Sequence, residues 1–274
     1  MPHLAPFTTS QISQHSQNCS THLVQEIFMP SVSIKDKVVF VSGSNRGIGK
    51  SFATQALAMG AKKVYAAARD ESSLAELVAE YGDKIVPLTL DITNQDQVTA
   101  AAAAAGDAEV IINNSGMGGG GPMVGNPNPE GQRMEMEVNY FGMIKMCDAF
   151  APILKANGGG AIVNILSVAG LSSFAFAPGY SASKAAGRSL TQALRVELAE
   201  QGTLISGVFP GPVDTDMAKN VPMEKATPDS VAIHVYEEIA KGSEDIYPDP
   251  FAVQFAAGVQ ADFKAVEKAN AAAF

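Results

Sequence analysis

The chain has 274 residues, 46% hydrophobic and 17% charged, with Lys plus Arg 19, Asp plus Glu 28 and a formal net charge of −9. Such a composition supports a globular protein with a substantial core, while the acidity argues against a nucleic-acid partner, whose phosphates are held mainly by Lys and Arg. The two cysteines, Cys19 and Cys147, lie in unrelated contexts and argue against a disulfide framework or a zinc cluster; no apolar run reaches membrane-spanning length, and a reducing cytoplasm is the expected location.

Residues 1–30 are rich in Ser, Thr, Gln and His, lack Lys and Arg, and show no sustained period. They have neither the charged start and apolar centre of a secretory signal nor the arginines of a transit peptide. The segment reads as a disordered extension, with Met29 as an alternative start, and residues 31–274 as one folded domain.

From Asp36 onward short apolar runs alternate with helical patterns. Strands are expected at 37–42, 64–68, 85–90, 109–113, 161–165 and 204–209, with a short edge strand at 246–248. Helices are expected at 49–59, 72–80, 94–105, 129–156, 179–200 and 228–241, with Gly142 and Pro152 as breaks in the fourth. Pro87 weakens the third strand because proline cannot donate to a ladder. This alternation predicts an α/β fold, a doubly wound parallel sheet of Rossmann type. In such folds ligands lie beyond the carboxyl ends of the strands, so those ends carry the functional information.

The first strand runs into Gly43, Ser44, Asn45, Arg46, Gly47, Ile48 and Gly49, a GxxxGxG loop that opens a helix. Glycines permit a tight turn, and the helix start offers unpaired N–H groups to a pyrophosphate. The second strand ends Ala68-Arg69-Asp70. An acid at that point takes a ribose 2′-hydroxyl, whereas arginine suits a 2′-phosphate. Ala68 stands in the acid's place, and Arg69 and Arg46 converge, so NADP(H) is expected in preference to NAD(H). A one-residue shift would instead make Asp70 the acid. Asp91, followed by Ile92, ends the third strand and is placed either to accept from an adenine amino group or to cap the next helix.

Tyr180 and Lys184 stand four residues apart in a helical pattern and so share a face. A phenol titrates near about 10, and a neighbouring ammonium favours its ionised form. With the glycine loop, Asn113-Asn114-Ser115-Gly116, Asn139, and Ser167 thirteen positions before Tyr180, the sequence resembles the short-chain dehydrogenase/reductase superfamily over about residues 34–250. Ser115, where the family mostly has alanine, is a small departure. The resemblance implies a catalytic set of Asn139, Ser167, Tyr180 and Lys184. Tyr180 would be the acid or base, and Ser167 would bind the substrate oxygen. Lys184 would lower the Tyr180 pKa and bind the nicotinamide ribose, and Asn139 would hold a proton-relay water. It also implies Asn113, Asn114, Gly116, Pro210, Gly211, Val213 and Thr215 beside the cofactor, with no metal.

Met117, Met123, Ala169, Leu171, Phe174, Phe176, Met217 and Met223 are pocket candidates and suit an apolar carbonyl or secondary-alcohol substrate. Apolar long helices, commonly paired in the family, predict a homodimer or homotetramer. The competing reading is a non-enzymatic NADP(H)-binding redox sensor or scaffold. A nucleotide-sugar epimerase fits less well, because little chain follows Thr215.

Overall fold

The computed structural model describes residues 30–125 and 127–272. Residues 1–29 of the expected N-terminal extension, and with them the Met29 start, lie outside the described residues. The elements alternate as β1 Val38–Ser42, α1 Gly47–Ala58, β2 Lys63–Ala68, α2 Ala75–Tyr81, β3 Ile85–Thr89, α3 Gln95–Ala104 and β4 Val110–Asn113. There follow α4 Pro129–Met136, a π-helical segment Glu137–Gly142, α5 Met143–Ala156, β5 Gly160–Ile165, α6 Pro178–Glu197 and β6 Thr203–Val208. The chain continues through α7 Pro228–Ile239, β7 Asp245–Ile246, α8 Pro250–Ala261 and α9 Phe263–Ala272.

All seven strands pair in parallel in the order β3-β2-β1-β4-β5-β6-β7. The order reverses between β1 and β4, so the loops after these two strands diverge and open a crevice. Because successive side chains point to opposite faces, β1 feeds two cores. Val39 and Val41 pack with Phe52, Leu77 and Tyr236 on one side. Val38 and Phe40 pack with Ile111, Phe150 and Leu154 on the other. The Tyr236 hydroxyl is satisfied internally, donating to the Phe52 carbonyl at 2.9 Å.

Two expectations are resolved by position. Pro87 sits in β3 opposite Ala66, and β3 ends the sheet order, where a missing N–H leaves no ladder bond broken. Pro152 lies inside α5 without ending it. The helix expected over 129–156 is instead altered at 137–142. There six residues wind as a π-helix, and just past them the Met143 N–H closes onto the Tyr140 carbonyl. Single π turns of this kind are frequent at functional sites. A Cβ at Gly142 would lie 2.7 Å from the tip of the buried Ile92 side chain, which would have to shift to admit it.

Beyond the short β7, two helices appear that the apolar periodicity left unassigned. Asp249 caps α8 by accepting the Ala252 N–H at 2.8 Å, and Pro250 occupies the first turn. The buried Asn270 of α9 donates to Ser172 Oγ at 3.3 Å and to the Ser173 carbonyl at 3.4 Å, fastening the C-terminal helix to the loop after β5.

Candidate active site

The glycine loop closes on itself without room for a side chain. A Cβ at Gly49 would fall 2.0 Å from the Gly43 carbonyl oxygen, and Gly43 and Gly47 hold φ of 69° and 54°. Asn114 Nδ2 donates to the carbonyls of Ser42 at 2.9 Å and Gly43 at 3.2 Å, tying the end of β4 to this loop. Helix α1 starts after Arg46 with no side-chain cap and no acidic residue in its first turn. Its leading N–H groups carry the positive end of the helix dipole and are left for an anion. This cradle fits a dinucleotide pyrophosphate.

Not every expected cofactor residue faces the crevice. Asn113 is turned into the sheet interior, where Nδ2 donates to Asn164 Oδ1 at 2.9 Å and contacts Cys147 Sγ at 3.4 Å. Its side chain is structural, and only its backbone serves the strand end. Burial pushes the Cys147 thiol up to about 12, so it is inert at neutral pH. Asp91 Oδ1 accepts from the Thr93 N–H and hydroxyl at 2.9 and 2.7 Å, while Asn94 caps α3. Arg69 is exposed at the end of β2. The Asp70 carboxylate is engaged by the N–H and hydroxyl of Ser72 at 3.0 and 2.7 Å. Arg46 pairs with Asp216 at 3.0 Å, an exposed and therefore weak ion pair.

Helix α6 brings Tyr180 and Lys184 to the crevice. Its close seating depends on Gly179 and Gly187, where a Cβ would lie 2.3 Å from Glu135 Oε2 and 2.9 Å from Leu166 Cδ2. Lys184 is buried, donates to the Ile165 carbonyl at 2.8 Å, and places Nζ 5.6 Å from the centre of the Tyr180 ring. A Cβ at Gly116 would approach Lys184 Nζ to 3.4 Å and Asn139 Oδ1 to 3.2 Å, so the β4 loop passes directly over both. Ser167, two residues past β5, interacts with the phenol of Tyr180 while its Oγ accepts the Ala169 N–H at 3.1 Å. Local capping and substrate-facing chemistry are compatible in one hydroxyl, which has one donor and two acceptor positions.

Two details differ from the expected roles. Burial raises the Tyr180 pKa, the hydrogen bond from Ser167 opposes the rise, and the charge of Glu135 adds to it. Burial pulls Lys184 down to about 8. With the protein groups alone, desolvation outweighs attraction and the phenol stays protonated at neutral pH. The side chain of Asn139 is fully engaged. Nδ2 donates to the Met117 carbonyl at 2.8 Å and Ser183 Oγ at 2.9 Å, and Oδ1 accepts the Met117 N–H at 2.9 Å. It clamps the loop after β4.

The loop after β6 folds back onto the glycine loop, with Thr215 Cγ2 within 3.2 Å of a Cβ at Gly47. Val213 bridges to Ala226, and the Val168 N–H bonds the Pro210 carbonyl at 3.1 Å. Gly211 is fixed through its N–H by Asp249 Oδ2 at 2.8 Å. Asp249 was missed in the sequence reading although Asp-Pro is a helix-start signal. Glu135 was missed as well; it lies one turn before Asn139 on the same helical face. Among the pocket candidates, Leu171 belongs to the core and Ala169 is buried. The Phe174 ring lies tilted by 40° against both Phe176 and Phe255, at 5.5 and 5.6 Å between ring centres. Met117 is partly covered; Met123, Met217 and Met223 are exposed on the rim.

A phosphate cradle and a phenol–hydroxyl–ammonium cluster meeting at one crevice define the class, an oxidoreductase that uses a nicotinamide cofactor. The short chain dehydrogenase family model matches residues 37–226, and the chain belongs to that family. It is an NAD(P)-dependent dehydrogenase acting on CH–OH groups. A 3-alpha-(or 20-beta)-hydroxysteroid dehydrogenase of Mycobacterium tuberculosis is 36% identical over 190 residues, covering 68% of this chain and 72% of its own. A short chain dehydrogenase from Burkholderia cenocepacia, solved in complex with NADP, superposes with TM-score 0.83 and 38% identity, covering 87% of this chain and 99% of its own. A relative from Burkholderia phymatum, solved with NAD, gives TM-score 0.75 and 27% identity over 85% and 95% of the two chains.

Proposed function

We propose that the protein is an NADP(H)-dependent carbonyl reductase or secondary-alcohol dehydrogenase for an apolar substrate. The observation that carries this reading is Tyr180 held beside Ser167 with Lys184 buried on the same helix face. The glycine loop from Gly43 to Gly49, Arg69, Asp91, Ile92, Asn114, Gly116 and the segment from Pro210 to Thr215 would hold the cofactor, and reduced nicotinamide supplies the hydride when bound. Ser167 donates to the substrate oxygen as negative charge develops there. Tyr180 gives that oxygen its proton, and the protonated phenol favoured by burial is the form reduction requires. Lys184 anchors the ribose hydroxyls and, with a water held at Asn139, returns a proton to Tyr180. A panel of ketones, aldehydes and alcohols, followed by NADPH absorbance, tests the reading. Turnover of apolar ketones supports it, and no turnover across the panel overturns it in favour of a non-enzymatic NADP(H) sensor or scaffold.

NADPH rather than NADH is supported by the exposed Arg69, by the engagement of Asp70 within its own turn, and by the NADP-bound Burkholderia cenocepacia relative. NADPH should bind at least about tenfold more tightly than NADH, and Arg69→Ala should narrow that ratio severalfold, since charge-assisted phosphate contacts are the strong ones. Equal affinities in the unmodified protein, read by fluorescence titration, would refute the preference.

The exposed apolar side chains Met134, Phe141 and Val196 on α4, the π segment and α6 support assembly into a homodimer or homotetramer. Light scattering after size exclusion should return two or four times the chain mass; a monomer at micromolar concentration would contradict it. Cysteine usage supports a cytoplasmic location; among the described residues no helix is long and apolar enough to cross a membrane.

A further inference from the structure

Glu135 is almost fully buried, yet among the described residues its Oε2 has no hydrogen-bond partner. Oε1 accepts the Gly120 N–H at 2.9 Å. Oε2 is wedged between two backbones, 2.6 Å from where a Cβ would stand on Gly120 and 2.3 Å from one on Gly179, the neighbour of Tyr180. An interior carboxylate with an unpartnered oxygen is costly, and a hydrophobic residue in this helix would avoid the cost. The loop it holds has a definite place. Asn139 pins Met117 through two bonds, Glu135 pins Gly120, and between them Gly118 lies against Tyr180, where a Cβ would meet the ring at 3.3 Å.

We propose that Glu135 is a positioning residue for the reaction: its carboxylate, wedged between Gly120 and Gly179, fastens the loop 117–121 over the Tyr180 ring and acts on the phenol through its charge. The inference rests on Tyr180 as the acid. It has support in the electrostatics, since Glu135 is the carboxylate whose charge disfavours the phenolate of Tyr180. The other ionisable groups around it are accounted for. From α6 come Tyr180 and Lys184, and loop 117–121 brings none. On its own helix Glu130 pairs with Arg133 at 3.1 Å, both exposed. In the π segment Glu137 pairs with Lys145 of α5 at 2.7 Å, and the Tyr140 ring packs on Phe141. Among the described residues around Tyr180, Glu135 is thus the buried carboxylate with no ion-pair partner.

The sign is fixed by charge. A carboxylate beside a phenol raises its pKa, so removing the charge lowers it. Glu135→Gln keeps the acceptor for Gly120 and removes the charge. The higher alkaline limb of the pH–rate profile for NADPH-dependent ketone reduction, above that of Lys184 and due to the phenol losing its proton, should move to lower pH by roughly one unit. Turnover on the acid side of that limb should stay within about threefold. A limb unmoved within about 0.2 units would overturn the proposal. Should Glu135→Gln not fold, Gly120→Ala carries the test, because its Cβ would displace Oε2 while the charge remains. A fall in turnover of about fivefold or more at unchanged melting temperature supports the positioning role, and unaltered turnover overturns it. Tyr180→Phe separates the two levels. If that variant retains turnover, the inference falls with its premise; if it is inactive while Glu135→Gln leaves the profile unmoved, the role of Glu135 alone is refuted.

Discussion

Tyr180→Phe should lower turnover by about 10²- to 10⁴-fold, the range of a lost general acid, while NADP(H) affinity changes by no more than about twofold. The substitution deletes one oxygen. The ring still packs against Gly118 and the helix still seats through Gly179. None of the glycine-loop contacts involves the phenol, so the cradle for the pyrophosphate is untouched. Stopped-flow single turnovers with NADPH and a ketone would measure the chemical step, and fluorescence titration the affinity. Turnover within tenfold of the unmodified enzyme would remove Tyr180 from the acid's role.

Lys184→Met should abolish most turnover and, unusually for a core substitution, stabilise the protein at pH 7. Burial holds the Lys184 pKa near about 8, against 10.5 when exposed. That depression means the folded state disfavours the ammonium by on the order of 3 kcal/mol. Losing the bond to the Ile165 carbonyl returns about 1–2 kcal/mol of that as an unsatisfied acceptor. The net gain should be about 1–2 kcal/mol. Its pH dependence follows from proton counting. Below about 8 both states of the unmodified chain carry the proton, and the full cost is present. Between about 8 and 10.5 the unfolded chain holds a proton that the folded chain has lost, so the stability of the unmodified protein rises with pH. The advantage of the variant should therefore be largest at pH 7 and shrink by pH 9.5. Urea unfolding at the two pH values measures it; a variant less stable at pH 7 would show that Lys184 supports the fold as well as the chemistry.

The sequence made the strands, their parallel sheet and the crevice beyond their carboxyl ends readable because each is announced locally. Apolar runs of five or six residues mark buried strands, and the loop at 43–49 marks the pyrophosphate cradle. Tyr180, Lys184 and Ser167 were readable through a fixed spacing. What escaped is set by neighbours distant in sequence. Asn113 looks like any strand-end polar residue until Asn164 and Cys147 are seen beneath it. Leu171 looks like a pocket residue until it packs with the second core. The restraint on Tyr180 comes from Glu135, which belongs to another helix and reaches the site only because Gly120 and Gly179 lack side chains. The raised Tyr180 pKa is likewise a balance between burial and charge, and no i,i+4 pattern reports burial.

The fastening of α9 to the loop after β5 by Asn270 has a consequence for how such a protein diversifies. The family match ends at residue 226, whereas α8 and α9, together with Asp249 that fixes Gly211, lie past it. Phe255 of α8 and Asn270 of α9 lean on the segment 172–174, just downstream of Ser167. Residues past 226 thus pack beside the strand ends that carry the candidate catalytic cluster. Drift in the last fifty residues can change the company the active site keeps while leaving its reaction intact.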